Sequence, residues 1–301
     1  MSSRWCTITR RQALLAAAAG VELRAASEGP FAATAGYLWQ RRLQQQKRPL
    51  AEGLDEIFRT SAAAGFRRME LTADFFKADL LDKVAALIER YRLEVPVFYY
   101  WAVLHEAAAA ETSLAGLEAV AGSAQSLGAG ILDLSIAWKP GKRPKTDEEL
   151  AVETGNVRRI AERMAVRGFT TALHNHDVEM LDGAREWRYL MRNLESGEAG
   201  ACLDIDWVYR AGQDPGVIIG ELPGRIHLVH LRNASGGQWT QELGEGDYDW
   251  GAVAGHLKRA GFRGYLVAEL IHEPGMTTVT RSVEENLRRS RELMEMTFGA
   301  A

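Results

Sequence analysis

Arg167-Gly168-Phe169-Thr170-Thr171-Ala172-Leu173-His174-Asn175-His176-Asp177 is the stretch on which the fold turns. Its glycine follows a long amphipathic pattern over Asp147–Arg167, and Gly just past a helix takes the left-handed conformation that ends it. Phe169–His174 then reads as a short strand, and alternation along it places His174 and His176 on one face. A helix stopped by glycine, a short strand and an ionisable strand end together make one unit.

That unit recurs in both directions. Strand candidates lie at Phe31–Trp39, Phe66–Leu71, Val95–Tyr100, Gly130–Ser135, Ala201–Asp206, Arg225–Leu231 and Tyr265–Leu270. Between them, Leu54–Ala64, Leu80–Tyr91, Leu114–Leu127 and Trp250–Ala260 repeat apolar residues at helical spacing, and a last helix is expected from Val283 to Met296. Glycine stops reappear at Ala64-Gly65-Phe66, Leu127-Gly128 and Ala260-Gly261-Phe262. Alternating strands and helices imply a parallel sheet with right-handed crossovers. Eight such units in residues 31–301 predict a single closed (β/α)8 TIM barrel. An open doubly wound sheet is the alternative, but no Gly-rich nucleotide turn follows the first strand.

The two cysteines, Cys6 and Cys202, provide no disulfide framework, and Cys202 reads as a buried small hydrophobe on a strand. Residues 1–30 differ from the rest. Thr9-Arg10-Arg11-Gln12 precedes the apolar run Ala13–Val21, with small residues at Ala25, Ala26 and Ser27, a pattern that resembles a twin-arginine export signal. The expectation is a periplasmic or secreted protein, with a cytoplasmic protein and a frayed amphipathic N-terminus as the alternative. The run is too short to span a bilayer, so no membrane span is expected in the mature protein. The formal net charge is −4, and near −6 once residues 1–30 are removed. Such a mildly acidic body has no field to hold a polyanion, which argues against nucleic acid as a partner.

In a barrel of this type the C-terminal strand ends share one mouth. Besides His174 and His176, alternation aims Glu70, Asp204, Asp206, His230, Arg232 and Glu269 inward. Ionisable groups are costly there unless paired or bound to metal. Their accumulation on consecutive strands points to a metal site, and imidazoles with carboxylates suit Mn²⁺, Co²⁺, Zn²⁺ or Fe²⁺ better than Ca²⁺.

The order of these pieces resembles the xylose isomerase-like TIM barrel superfamily of sugar phosphate isomerases and epimerases, which also holds type IV endonucleases, dehydratases and keto-sugar lyases. The matching pieces are AGFRRMEL, LHNHD, LDIDWVYRAGQDP, RIHLVHLRN, LGEGDYDW and GYLVAEL, spread over residues 31–297. The resemblance implies one divalent ion held by His174, Asp204, His230 and Glu269, and a dimer or tetramer. His174 is a departure, since the family usually has Glu there, acting as ligand and base. Arg232-Asn233 is another, where Lys-Asp is common; Arg keeps the charge and adds a fork suited to carboxylate or phosphate.

The implied chemistry is proton abstraction next to a metal-polarised keto-sugar carbonyl. Return of the proton to another carbon isomerises, return from the opposite face epimerises, and loss of a β-substituent makes a lyase or dehydratase. His176 is the candidate base, on the expectation of a pKa near neutrality. Glu70 and Glu245 are candidates for a second acid/base or a hydroxyl anchor. Trp39, Trp101, Trp138 and Trp207 follow predicted strand ends and suit the apolar faces of a sugar, or else close the barrel top. Lys139, Lys142, Arg143 and Lys145 could attract a phosphorylated sugar or form a solvated loop. An exported protein favours a neutral sugar or keto-glycoside. The runner-up readings are a keto-glycoside lyase or dehydratase and a sugar-binding barrel that has lost its chemistry. A repair endonuclease would need more metal-binding histidines and a basic face.

Overall fold

The computed structural model describes residues 29–271 and 279–301. The export-signal reading therefore falls almost wholly outside the described residues. Eight parallel strands close into a barrel: β1 (Phe31–Ala35), β2 (Arg68–Thr72), β3 (Glu94–Ala102), β4 (Ile131–Ile136), β5 (Thr170–His174), β6 (Gly200–Asp204), β7 (Ile226–Leu231) and β8 (Tyr265–Ala268). Each strand pairs with its neighbours in sequence, and β8 closes on β1 with Phe31 opposite Tyr265 and Thr34 opposite Ala268.

Helices α1 (Tyr37–Gln45), α2 (Leu50–Ala63), α3 (Leu81–Tyr91), α4 (Ala107–Ser126), α5 (Asp147–Val166) and α6 (Asp177–Asn193) cover the first half of the barrel. Helices α7 (Ile205–Arg210), α8 (Pro215–Gly220), α9 (Trp250–Arg259) and α10 (Val283–Phe298) cover the rest. Gly65, Gly128, Gly168 and Gly261 all take positive φ after their helices, as the stop pattern requires. The main core lies between strands and helices, from Leu71, Leu132, Leu173, Leu203, Val229 and Leu266 outward. Inside the barrel sit smaller layers: Val97, Ala172, Cys202 and Leu228, and then Ala33, Ala35 and Val267.

Three strands end sooner than expected, the eighth at Ala268 with Glu269 just beyond it. The first stops at Ala35, because Gly36 turns and donates its N–H to Glu70 O at 2.7 Å before α1 begins. Trp39 is therefore a helical residue, 1% exposed in the core between α1 and the barrel. The sixth strand stops at Asp204, whose side chain caps α7 by accepting from Trp207 N. Asp206 thus lies on a helix, although it is still fully buried. Among the described residues no helix is long and apolar enough to cross a membrane.

Candidate active site

Strand register gathers the ionisable residues. Ser135 pairs with His174, Asp204 with His230 and Ala35 with Glu70, each at or near the C-terminal end of its strand. Glu269 follows β8 and donates its N–H to Leu231 O. One ligand atom each from His174, Asp204, His230 and Glu269 can be chosen so that all four lie within 4.8 Å of one another. These residues are all buried.

His230 is the hub. Its Nδ1 lies 3.0 Å from Glu269 Oε2, and its Nε2 lies 2.9 Å from Glu70 Oε2 and 3.3 Å from Asp133 Oδ2. Arg232 Nη2 stands 2.7 Å from Glu269 Oε2 and 3.4 Å from Asp204 Oδ2, neutralising the two carboxylates from the outer side. Its guanidinium also lies over Trp207 and Trp239, with ring-centre distances of 5.3 and 5.0 Å.

The electrostatics follow from dry surroundings and close charges. Burial pushes Glu70 up to about 7, against the pull of His230 and with the help of Asp133. Asp133 rises to about 6 and Asp204 to about 8, again chiefly through burial. Burial would raise Glu269 too, but Arg232 and His230 hold it well below the usual carboxylate range. For His230, burial opposes the charge, yet the acids around it, Cys202, Glu70 and Glu269, raise its pKa well above normal. His174 goes the other way, to about 3, through burial and the neighbouring His230. A neutral His174 keeps a lone pair free for a metal.

His176 departs from expectation. It caps the start of α6, and burial, then His174 and Arg232, drive its pKa well below that of free imidazole. It is a neutral, weakly basic ring, not one poised near neutrality. Trp101, Trp138 and Trp207 surround it at 5.4, 5.2 and 5.8 Å between ring centres. Its Nδ1 is buried and, among the described residues, has no hydrogen-bond partner.

The aromatic wall runs from Trp101, which is 38% exposed, through Trp138 and Trp207 to Trp239. Trp39 is not part of it. Trp239 was not anticipated; it sits on a two-strand ribbon, Ala234–Ser235 with Gln238–Trp239. Buried Asp206 holds that ribbon by accepting from Trp239 Nε1 at 2.9 Å, from Arg210 Nε at 2.9 Å and from Tyr248 OH. Glu245 is exposed on the following loop, where its backbone oxygen accepts from Asn233 Nδ2, and the structure does not bring its carboxylate to the cluster.

Asp133 and Cys202 were also missed as inward ionisable groups. Alternation in Leu132-Asp133-Leu134-Ser135 was a readable signal for the first, since both leucines belong to the outer core. The basic loop is largely neutralised: Lys139 pairs with Glu149, Lys142 with Asp177, and Lys145 is buried against Glu153 and Glu186.

The same architecture is found in solved structures. The chain is similar to D-allulose 3-epimerase from Methylomonas sp. in complex with D-allulose, at 16% identity and TM-score 0.71, covering 90% of this chain and 98% of that one. It is similar to L-ribulose 3-epimerase at 15% identity and TM-score 0.72, covering 89% and 94%. A xylose isomerase domain protein from Alicyclobacillus acidocaldarius subsp. acidocaldarius aligns at 19% identity and TM-score 0.66, covering 89% and 98%. No curated protein sequence matches the chain. At these identities the structural likeness is one of fold. Residues 58–296, however, match a sequence family directly, and with most of its length matched the chain belongs to the xylose isomerase-like TIM barrel family.

Proposed function

We propose that the protein is a sugar isomerase or epimerase that removes the proton beside a keto-sugar carbonyl with the help of one divalent ion, Mn²⁺, Co²⁺, Zn²⁺ or Fe²⁺. The observation that carries this reading is the convergence of His174, Asp204, His230 and Glu269 below an aromatic mouth. Two carboxylates and two imidazoles suit such an ion. Glu269 shares its Oε2 with Arg232, so an ion at this set competes with that ion pair. The barrels of D-allulose and L-ribulose 3-epimerases, which this chain resembles, agree with the substrate class.

When bound, the ion polarises the carbonyl and acidifies the adjacent C–H. Glu70, with a pKa near 7, is suited to take that proton and return it. Neutral His176 lines the mouth among Trp101, Trp138 and Trp207, whose ring faces pack on the apolar sugar face. Arg232 supplies a fixed positive charge where negative charge develops on oxygen. Because most of the basic loop is already paired, a neutral sugar fits better than a phosphate ester. That agrees with an exported protein guided by residues 1–30.

A second reading is a keto-glycoside lyase. It is favoured by the wall that continues outward to exposed Trp101, an aromatic surface suited to stacking an aglycone, and by His174 in place of a carboxylate base. Release of aglycone from 3-keto-glucosides without epimer formation would select it.

Manganese binding tests the metal set. Electron paramagnetic resonance is expected to show one Mn²⁺ per chain in the wild type and none in Asp204→Ala. Full Mn²⁺ occupancy in that variant would refute the ligand assignment.

A further inference from the structure

We propose that Asp133, His174, Cys202 and His230 form a second metal site, one layer deeper in the barrel, that takes Zn²⁺ or another thiophilic divalent ion. On β6, Cys202 lies two residues before Asp204 on the same inward face, and on β4, Asp133 lies two residues before Ser135, the partner of His174. One ligand atom from each of the four residues can be chosen within 4.8 Å of the others, and all four are buried.

The separations carry the case. Bonds of about 2.0–2.3 Å to a tetrahedral zinc set ligand–ligand distances of about 3.3–3.8 Å. Asp133 Oδ2 lies 3.3 Å from His230 Nε2, 3.4 Å from His174 Nδ1 and 3.5 Å from Cys202 Sγ, and Cys202 Sγ lies 3.6 Å from His174 Nδ1. The nitrogen–oxygen distances are long for hydrogen bonds and right for the edges of a coordination tetrahedron. Asp133 Oδ1 is also buried without a hydrogen-bond partner among the described residues. Arg232 lies against Asp204 and Glu269, whereas Asp133 and Glu70 face the imidazole of His230 and no guanidinium.

His230 makes the two sites alternatives. A neutral imidazole has one lone pair, so ligation through Nε2 leaves a proton on Nδ1, where Glu269 Oε2 stands ready to accept it at 3.0 Å. Glu269 would then orient the ligand instead of binding the ion, a common outer-sphere arrangement. The Nε2 proton of His230 passes to Glu70 Oε2, 2.9 Å away, as the metal takes its place, and the thiol proton of Cys202 is released to solvent. With four protein ligands the inner site has no open position for a sugar oxygen. On the isomerase or epimerase reading above, on which this consequence rests, an ion held there takes His174 and His230 from the outer set and silences the enzyme.

Zinc-edge X-ray absorption on the full chain carrying C6S, in which Cys202 is the remaining thiol, tests the site directly. The expected result is one sulfur neighbour at about 2.3 Å, retained in Asp204→Ala and lost in Cys202→Ala. Competition gives a second readout: Cys202→Ala should need at least about tenfold more Zn²⁺ than wild type to displace bound Mn²⁺. A zinc shell without sulfur, or equal displacement in both proteins, overturns the inner site. Those outcomes leave the proposed function intact if Mn²⁺ still supports proton exchange in a sugar. A sulfur shell with no sugar chemistry would instead sustain the site and sink the function.

Discussion

Two clusters of buried ionisable groups meet in this protein, and only one lies beneath an aromatic wall that reaches solvent, at Trp101. At the mouth, Glu70, Asp204, His230, Arg232 and Glu269 sit beneath the tryptophan wall. Behind it, Lys145 is sealed under its own loop, with Nζ 3.0 Å from Glu153, 3.4 Å from Glu186 and 3.9 Å from Glu179. Burial opposes the charge on Lys145, but these carboxylates hold its pKa above the ordinary range, while burial drives Glu153 up to about 8. The two clusters touch at one point, where Glu179 Oε2 accepts from the backbone N–H of His176 at 2.7 Å. Both therefore have perturbed pKa values. What separates a site from a strut is access, and the rear cluster fixes the start of α6 from which His176 faces the mouth.

The largest effect should come from Glu269→Ala. It removes an anionic ligand and strips Arg232 of its nearest counter-charge, so sugar turnover should fall by about a thousandfold or more. Chemical denaturation should show a loss of about 3 kcal/mol, because a buried pair has been broken from one side. Turnover within a few-fold of wild type would contradict its place in the site.

A smaller effect is expected at the rear. The folded pKa of Glu153, about 8, lies above its ordinary 4.5, so the unfolded chain gives up that proton first. The stabilising contribution is complete below pH 4.5 and is lost as pH rises to about 8. Glu153→Gln should therefore melt like wild type near pH 5 and higher than wild type at pH 8, with sugar turnover little changed. An unchanged slope of Tm against pH would show that Glu153 is not the titrating group.

The smallest effect should come from Trp101→Ala at the exposed end of the wall. Loss of one ring face is worth about 0.5–1.5 kcal/mol, so KM should rise up to about tenfold with kcat and Tm nearly unchanged. A fall in kcat without a change in KM would place Trp101 in the chemistry instead.

Much of the mouth was legible because it depends on local rules. Glycine stops such as Arg167-Gly168-Phe169 marked the helix ends, and period-two alternation put His174, Asp204 and His230 inside. The position of Trp39 was misread because Phe31–Trp39 is almost unbroken in its apolar character, and Gly36 was the one signal of a turn. The rear cluster was not legible. Lys145 belongs to a Pro- and Gly-containing loop that reads as solvated, and its partners come from α5 and α6, up to 41 residues away. The depressed pKa of His176 was hidden for the same reason, since the rings that bury it come from β3, the segment after β4 and α7. Alternation was available for Asp133 and Cys202, but each alone looks like core, and only their three-dimensional meeting with His174 and His230 reveals a ligand set.

Deuterium wash-in tests proton abstraction at this site most simply. Mn²⁺-loaded protein would be incubated in D₂O with ketopentoses, ketohexoses and 3-keto-glucosides, and proton NMR would follow the carbon beside the carbonyl. Exchange is expected at that carbon in at least one sugar, with its loss in Glu70→Gln despite full Mn²⁺ occupancy. No exchange in any of these sugars by the fully loaded wild type would contradict proton abstraction at this site.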